Sequence, residues 1–384
     1  MATAPVKTLK IDGDSHFFPP IDFTDVAENA GLPESAVDML LRDTAVFADR
    51  EARRGGFRAT TAGKRVAAVN PTAASTQQGN GPMGHGAAEQ RVQLLPDTGF
   101  DMQVLIPDGI FANAFGSPMG REWGEGLHLA LSMSYNNAAA AAQNAYPDQL
   151  IACGVVPFGT ESLEVNIAEA KRAVNKLGVK SLMVNSNWRG ANWDSVDLYP
   201  FWDEMNKLGV PIYVHGNPFS CQVQDHVPTN WTIGWERMRR LHISNYLGFG
   251  FEYMINMASM TLGGLLTDFP NLKFAFFEAG ASWLPWVMYS LDRVYAIEPQ
   301  CARCEVKPSE LILNSSYVAA EPDEDAIVGA IKTIGNQNFI VGSDYPHPPS
   351  TFPDTAAGIL NMPGLNDEDK EALLGGNLRR LFNI

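Results

Sequence analysis

The chain has 384 residues, 45% hydrophobic and only 18% charged, a balance that excludes disorder over most of its length. Its 28 Lys and Arg against 43 Asp and Glu leave a net charge of −15, which excludes the basic footprint of a nucleic-acid or anionic-membrane binder. No run reaches the ~18 apolar residues of a membrane span, and the start MATAPVKTLKIDGD lacks the apolar core of a signal peptide. Four cysteines make no disulfide framework. Cys301 and Cys304 form a single C-x-x-C, read as reduced surface thiols. The expectation is a cytoplasmic enzyme.

An apolar strand from Leu9 to His16 opens the pattern. From about 53 to 89, Gly, Ala, Thr, Asn and Gln dominate, which marks a polar loop insertion. Met102 to Pro107 reads as a strand. Leu127 to Tyr146 reads as an Ala-rich helix stopped by Pro147. A strand over Leu150 to Pro157 precedes an amphipathic helix from Glu161 to Leu177, closed by Gly178. Val179 to Asn185 is a strand, Tyr199 to Leu208 a helix, and Val210 to His215 a strand. Two helical patterns fill an insertion at about 217–268. Leu272 to Glu278 is a strand, followed by a helix through Tyr295. Leu311 to Ser315 and Phe339 to Asp344 complete the strands, with a helix from Asp323 to Ile334 between them and helices after.

Eight continuous apolar runs, most followed by helices, fit strands buried on both faces of a parallel sheet. The predicted fold is α/β, a (β/α)8 TIM barrel of the metal-dependent hydrolase type, spanning 1–384 as one domain. A doubly wound sheet is the main alternative. No G-x-G-x-x-G or P-loop follows the first strand to support it.

Polar residues gather at one place, the C-terminal ends of the apolar strands. Strand one ends in Asp12, Asp14 and His16, which share a face because strand side chains alternate. Strand five ends in His215, strand six in Glu278 and strand eight in Asp344. In a barrel these ends meet at the mouth, where active sites lie. Carboxylates and histidines converging there repel and desolvate badly unless a divalent cation joins them. Such ligands suit zinc, iron, manganese or cobalt.

The runs IDGDSHFFPP, YVHGNP, FPNLKFAFFEAGASWLPW and FIVGSDYPHP resemble the amidohydrolase superfamily, in particular its amidohydrolase-related branch. That branch includes aminocarboxymuconate-semialdehyde and hydroxybenzoate-type decarboxylases and some hydrolases. The resemblance implies metal ligation by Asp14, His16, His215 and Asp344. Glu278 stands where the family has a histidine, and acts as a base or a further ligand. The bridging lysine of binuclear members has no counterpart, so a second metal would fall to Glu278, Asp12 or His347. Asp344, Glu278 and His347 are the catalytic candidates. Trp188, Arg189, Phe17 and Trp283 are the substrate-binding candidates, with Arg189 suited to a carboxylate.

The implied activity is metal-dependent hydrolysis or non-oxidative decarboxylation of a small aromatic or carboxylate-bearing substrate, with zinc expected first and iron or manganese as alternatives. Two other readings stand beside it. One is a binuclear iron or manganese oxygenase similar to 2-aminoisobutyrate hydroxylase. The other is a non-catalytic partner subunit holding a structural metal. Neither nucleic acid nor membrane is an expected partner; a homodimer, or a hetero-oligomer with a related subunit, is.

Overall fold

Seven of the eight short apolar runs become strands, and every strand is buried along its whole length. A computed structural model describes residues 9–19, 26, 87–107, 126–158, 162–215, 247–347 and 351–384. Most of the 53–89 insertion and the first part of the 217–268 insertion lie outside the described residues.

In chain order the elements are β1 (Ile11–Phe17), α1 (Ala88–Thr98), β2 (Met102–Pro107), α2 (Leu127–Ala145), β3 (Leu150–Val155), α3 (Leu163–Arg172) and β4 (Ser181–Val184). Then come α4 (Tyr199–Leu208), β5 (Ile212–Val214), α5 (Phe249–Met260), α6 (Leu265–Asp268), β6 (Phe274–Phe276) and α7 (Leu284–Ile297). The described chain continues with α8 (Pro308–Ser315), β7 (Ser316–Ala320), α9 (Ile327–Ile334), β8 (Phe339–Val341), α10 (Thr355–Asn361), α11 (Asp367–Glu371) and α12 (Asn377–Phe382). The strands form one all-parallel sheet in the order β1 to β8. Backbone bonds Ser343 N to Asp14 O (3.1 Å) and His16 N to Tyr345 O (2.8 Å) draw the last strand's end against the first. The result is the TIM barrel expected. Among the described residues no helix is long and apolar enough to cross a membrane.

One strand was expected in the wrong place. Leu311 to Ser315 is the end of α8, and β7 begins at Ser316. A five-residue apolar run does not distinguish helix from strand. Pro308 at the helix start decides it here, with Ser309 donating from N (2.9 Å) and Oγ (2.7 Å) to Asp292. The helix expected to run to Leu177 does so, but its last turn, Ala173–Leu177, widens to a π-helix before Gly178 closes it at φ 77°. Of the expected surface thiols, Cys301 is exposed and Cys304 is buried.

An aromatic cluster outside the barrel wall fixes the loop after β4. Trp193 stacks on Phe274 of β6 (5.2 Å) and meets Trp202 of α4 edge-on (5.3 Å). Its indole donates to Asn185 O (3.2 Å), so the ends of residues 185–193 are anchored in the core. Glu252 of α5, itself buried, accepts from Ser186 Oγ (2.8 Å) and Asn187 Nδ2 (3.2 Å) inside that loop.

Candidate metal centre

β1 and β8 meet without side-chain space between them. A Cβ on Gly342 would lie 2.3 Å from Asp14 Cβ, and one on Gly13 would lie 2.8 Å from Val341 O. Glycine at both positions lets Asp14 and Asp344 share one mouth. Beneath them Asp12 is fully buried and accepts from Ser343 N (2.8 Å), Ser343 Oγ (2.7 Å), Gln103 Nε2 (3.2 Å) and Asp14 N (3.3 Å). Burial pushes its carboxyl up to about 6 against those bonds. The sequence offers Asp12 as a ligand for a second metal. It is instead a clasp between strands, its oxygens occupied by donors.

Six other side chains converge above it: Asp14, His16, His215, Glu278, Asp344 and His347. Glu278 Oε1 lies 2.9 Å from His215 Nε2, 3.2 Å from His16 Nε2 and 3.7 Å from His347 Nδ1. Asp344 Oδ1 lies 3.2 Å from His16 Nε2 and 2.6 Å from His347 Nδ1. Asp14 Oδ1 lies 3.7 Å from His16 Nε2. Glu278 and Asp344 both hold left-handed backbone, φ 60° and 52°, a conformation costing about 1 kcal/mol or more for a residue with a Cβ. Asp14 and His16 form the floor at 2% and 3% side-chain exposure, while His347 reaches 33% at the open side.

These residues fit a divalent cation. Ligand bonds near 2.1 Å place neighbouring donors about 3.0 Å apart at right angles and about 4.2 Å apart across the ion. Donor spacings of 2.9 to 3.7 Å among Asp14, His16, His215 and Glu278 match that range, while His347 and Asp344, 2.6 Å apart, are at hydrogen-bond distance. Asp14 Oδ1 is buried and accepts no hydrogen bond among the described residues, as would a ligand atom held for a metal. His16 Nδ1 faces Pro107 O at 3.3 Å, which favours the tautomer that leaves Nε2 free to ligate.

Charges in the cluster are strongly coupled. Burial pushes the Asp14 carboxyl up to about 7, although His16 beside it pulls the other way. Burial and His347 act against a charged His16, but Asp344, Glu278 and Asp14 outweigh them and lift it to about 10. Burial opposes ionisation of Glu278 too, yet His215, His16 and His347 hold its carboxylate well below the usual range.

The structure places the expected substrate residues in different settings. Trp188 closes a tight turn onto Ala191 through two backbone bonds (3.1 and 2.9 Å), and the Arg189 guanidinium stacks 4.8 Å above its ring. Trp283 is half-buried and donates to Gly280 O (2.8 Å). Phe17 lies in the core, 2% exposed, with its ring toward Tyr135 of α2. Two acidic residues lie outside the strand-end pattern read from the sequence. Glu321 follows directly on β7, and burial, with Asp344 and Glu278 adding repulsion, pushes it up to about 8. Glu324 accepts from Ala281 N (3.0 Å), Ser282 N (2.7 Å), Ser282 Oγ and Glu321 N (3.2 Å), fastening the loop after Glu278. Correct placement of β7 would have flagged Glu321 as another strand-end acid.

Comparison with known proteins gives a consistent picture. The family model described as amidohydrolase matches residues 11–384. A 2-amino-3-carboxymuconate-6-semialdehyde decarboxylase from Dictyostelium discoideum is 27% identical over 298 residues, 77% of this chain and 76% of that protein. A gamma-resorcylate decarboxylase from Rhizobium sp. (strain MTP-10005) is 23% identical over 62% of this chain and 71% of its own length. Among solved structures, a 5-carboxyvanillate decarboxylase from Novosphingobium aromaticivorans, complexed with manganese and 4-hydroxy-3-methoxy-5-nitrobenzoic acid, superposes with a TM-score of 0.68 at 18% identity. That match covers 98% of this chain and 97% of the other. A 2,6-dihydroxybenzoate decarboxylase bound to 2,6-dihydroxybenzoate gives 0.65 at 17% identity, covering 98% and 100%.

Proposed function

The chain belongs to the amidohydrolase family, and from that premise we propose that it is a metal-dependent carboxy-lyase acting on a small aromatic hydroxy-carboxylate. The observation that carries this reading is the cluster of carboxylates and histidines at the barrel mouth, with donor spacings that suit a divalent ion. Relatives named as decarboxylases of carboxylated substrates support it. They do not favour the oxygenase alternative.

Asp14, His16, His215 and Asp344 would hold the ion. It would supply a positive charge that binds the substrate carboxylate and its neighbouring oxygen. Manganese is the ion to load first, because carboxylate-rich sets suit it and a structural neighbour holds it; zinc is the alternative.

The chain's own groups do the rest. His347 Nδ1 and Asp344 Oδ1, 2.6 Å apart, hold a proton at the open side of the cluster. That proton passes to the ring carbon bearing the carboxylate. The carbon–carbon bond then breaks, its electron pair restores the ring, and CO₂ departs. Arg189, stacked on Trp188, would orient an anionic substrate from the loop after β4, and Trp283 would contribute apolar surface, whereas Phe17 is packed into the core. Assembly as a homodimer, or with a related subunit, belongs to the same proposal and is checked by light scattering.

The test is CO₂ release by manganese-loaded protein from a panel of 2-hydroxybenzoates, including 2,6-dihydroxybenzoate and 5-carboxyvanillate. Release from at least one, abolished in Asp344→Asn with the circular dichroism spectrum unchanged, supports the proposal. Absence of release from every member, or full activity of Asp344→Asn, overturns it and leaves the non-catalytic subunit as the better reading.

A further inference from the structure

Some buried polar groups take no part in the cation cluster or the proposed reaction. Tyr213 of β5 and Ser181 of β4 are fully buried, and neither hydroxyl has a hydrogen-bond partner. A hydroxyl taken out of water without a replacement partner costs stability, so native structures seldom leave one so.

Strand register shows which way they point. Phe274 and Phe276 of β6 lie on the outer face of the wall, where they stack on Trp193. Their partners on β5 are Ile212 and Val214, so Tyr213 and its partner Ala275 face the bore of the barrel. Tyr213 is also level with Met183, which puts Ser181, two residues earlier, on the inner face of β4. Cys153 of β3 is the partner of Ser181 and faces inward beside it.

The three side chains are neighbours. Burial pushes the Cys153 thiol up to about 12, and Ser181 pulls the other way, although no well-formed hydrogen bond joins them. Burial also holds the Tyr213 hydroxyl well above its ordinary range, and Cys153 and Asp14 act on it in the same direction. The Tyr213 ring is held against Phe277, with centroids 4.7 Å apart. The thiol of Cys153 makes only a long contact, 3.6 Å, to Gly154 O.

The packing of this layer fits a small polar ligand. Barrel interiors are ordinarily filled by bulky branched side chains. Here Cys153, Ser181 and Ala275 line the bore, joined by Ala319, which shares the inner face of β7 with Tyr317, the partner of Ala275. An apolar pocket of this kind would stay dry, but two hydroxyls and a thiol give a water about the three bonds that buried water makes.

We propose that the bore of the barrel, one layer below its mouth, is a binding site for ordered water held by Tyr213, Ser181 and Cys153. Each hydroxyl can donate to the water oxygen or accept from it, and the sulfur accepts. The floor of the barrel mouth is then polar and hydrated from beneath. This inference stands apart from the carboxy-lyase reading and survives its failure.

The test is a crystal structure of the full chain at near-atomic resolution, joined to two conservative variants. A water peak within hydrogen-bond distance of the Tyr213 and Ser181 hydroxyls is expected. Its absence from the unmodified protein overturns the proposal. Tyr213→Phe keeps the ring and removes only the hydroxyl. If that hydroxyl bonds water, the folding equilibrium constant from denaturant titration falls about fivefold or more. A hydroxyl with no partner would be removed at a gain, so an unchanged or larger constant overturns the proposal. Ser181→Ala should shift the constant in the same direction as Tyr213→Phe. The peak should vanish from Tyr213→Phe/Ser181→Ala; its persistence there overturns the assignment to these residues. Should a variant not fold, the density in the unmodified protein decides alone.

Discussion

Manganese affinity should depend steeply on pH, and the size of the effect follows from two side chains. On the proposed assignment Asp14 would bind a metal as a carboxylate, and His16 through an unprotonated Nε2. In the protein alone, burial keeps a proton on Asp14 up to about pH 7, and the surrounding carboxylates keep one on His16 up to about pH 10. An incoming ion must displace both. Acid therefore competes with the metal, and affinity falls as pH falls. Above about pH 7 the His16 proton is displaced, which costs about tenfold in affinity per pH unit, and His215, which against burial Glu278 lifts above its ordinary value, adds to that wherever it is protonated. Below it Asp14 joins, and the slope approaches about a hundredfold per unit. Between about pH 8 and pH 6 the two contributions multiply to about a thousandfold, or ~4 kcal/mol. The assay is titration of stripped protein with MnCl₂, following free Mn²⁺ by its paramagnetic resonance signal, which requires no competing chelator. A change below tenfold over that interval would refute the coupling between these residues and the cation.

Three further outcomes follow from the packing. Gly342→Ala would drive a methyl to 2.3 Å from Asp14 Cβ and part β1 from β8. A loss of about 1–3 kcal/mol and less than half the normal manganese content after desalting are expected, and wild-type content contradicts the close approach. Glu324→Ala would leave Ala281 N, Ser282 N and Glu321 N without their acceptor, lowering stability by roughly 3 kcal/mol in denaturant titration; an unchanged midpoint argues against the clasp. Glu321→Gln imitates the protonated acid that burial favours up to about pH 8, so it should preserve kcat/KM within about threefold at neutral pH and remove any ionisation near pH 8 from the profile. A large loss at neutral pH would show that Glu321 works as a carboxylate.

The barrel was legible because parallel strands buried on both faces leave uninterrupted apolar runs, and Met102–Pro107 was bounded to the residue. His215, Glu278 and Asp344 stood out for the complementary reason: each is the polar residue that ends such a run. Strand seven was misplaced because Leu311 to Ser315 satisfies either periodicity, and the error concealed Glu321. The clasp role of Asp12 was not legible, since its partners Gln103 and Ser343 lie 91 and 331 residues away. The same holds for His347. Its proximity to Asp344 was visible, but its 3.9 Å ring contact with His16 depends on the curl of the chain after β8.

The seam between β1 and β8 bears on how the molecule is made. Asp14 and Asp344 belong to opposite ends of the described chain, and the bonds that unite their strands span more than three hundred residues. Closing so long a loop directly is entropically unfavourable, and assembly of the intervening strands shortens it. The candidate cation centre straddles that seam and is complete only when the first and last strands have met. A bound ion then acts as a buckle on a belt, its affinity adding to the free energy that keeps first and last strands together. Metal loading and barrel closure would then be thermodynamically linked.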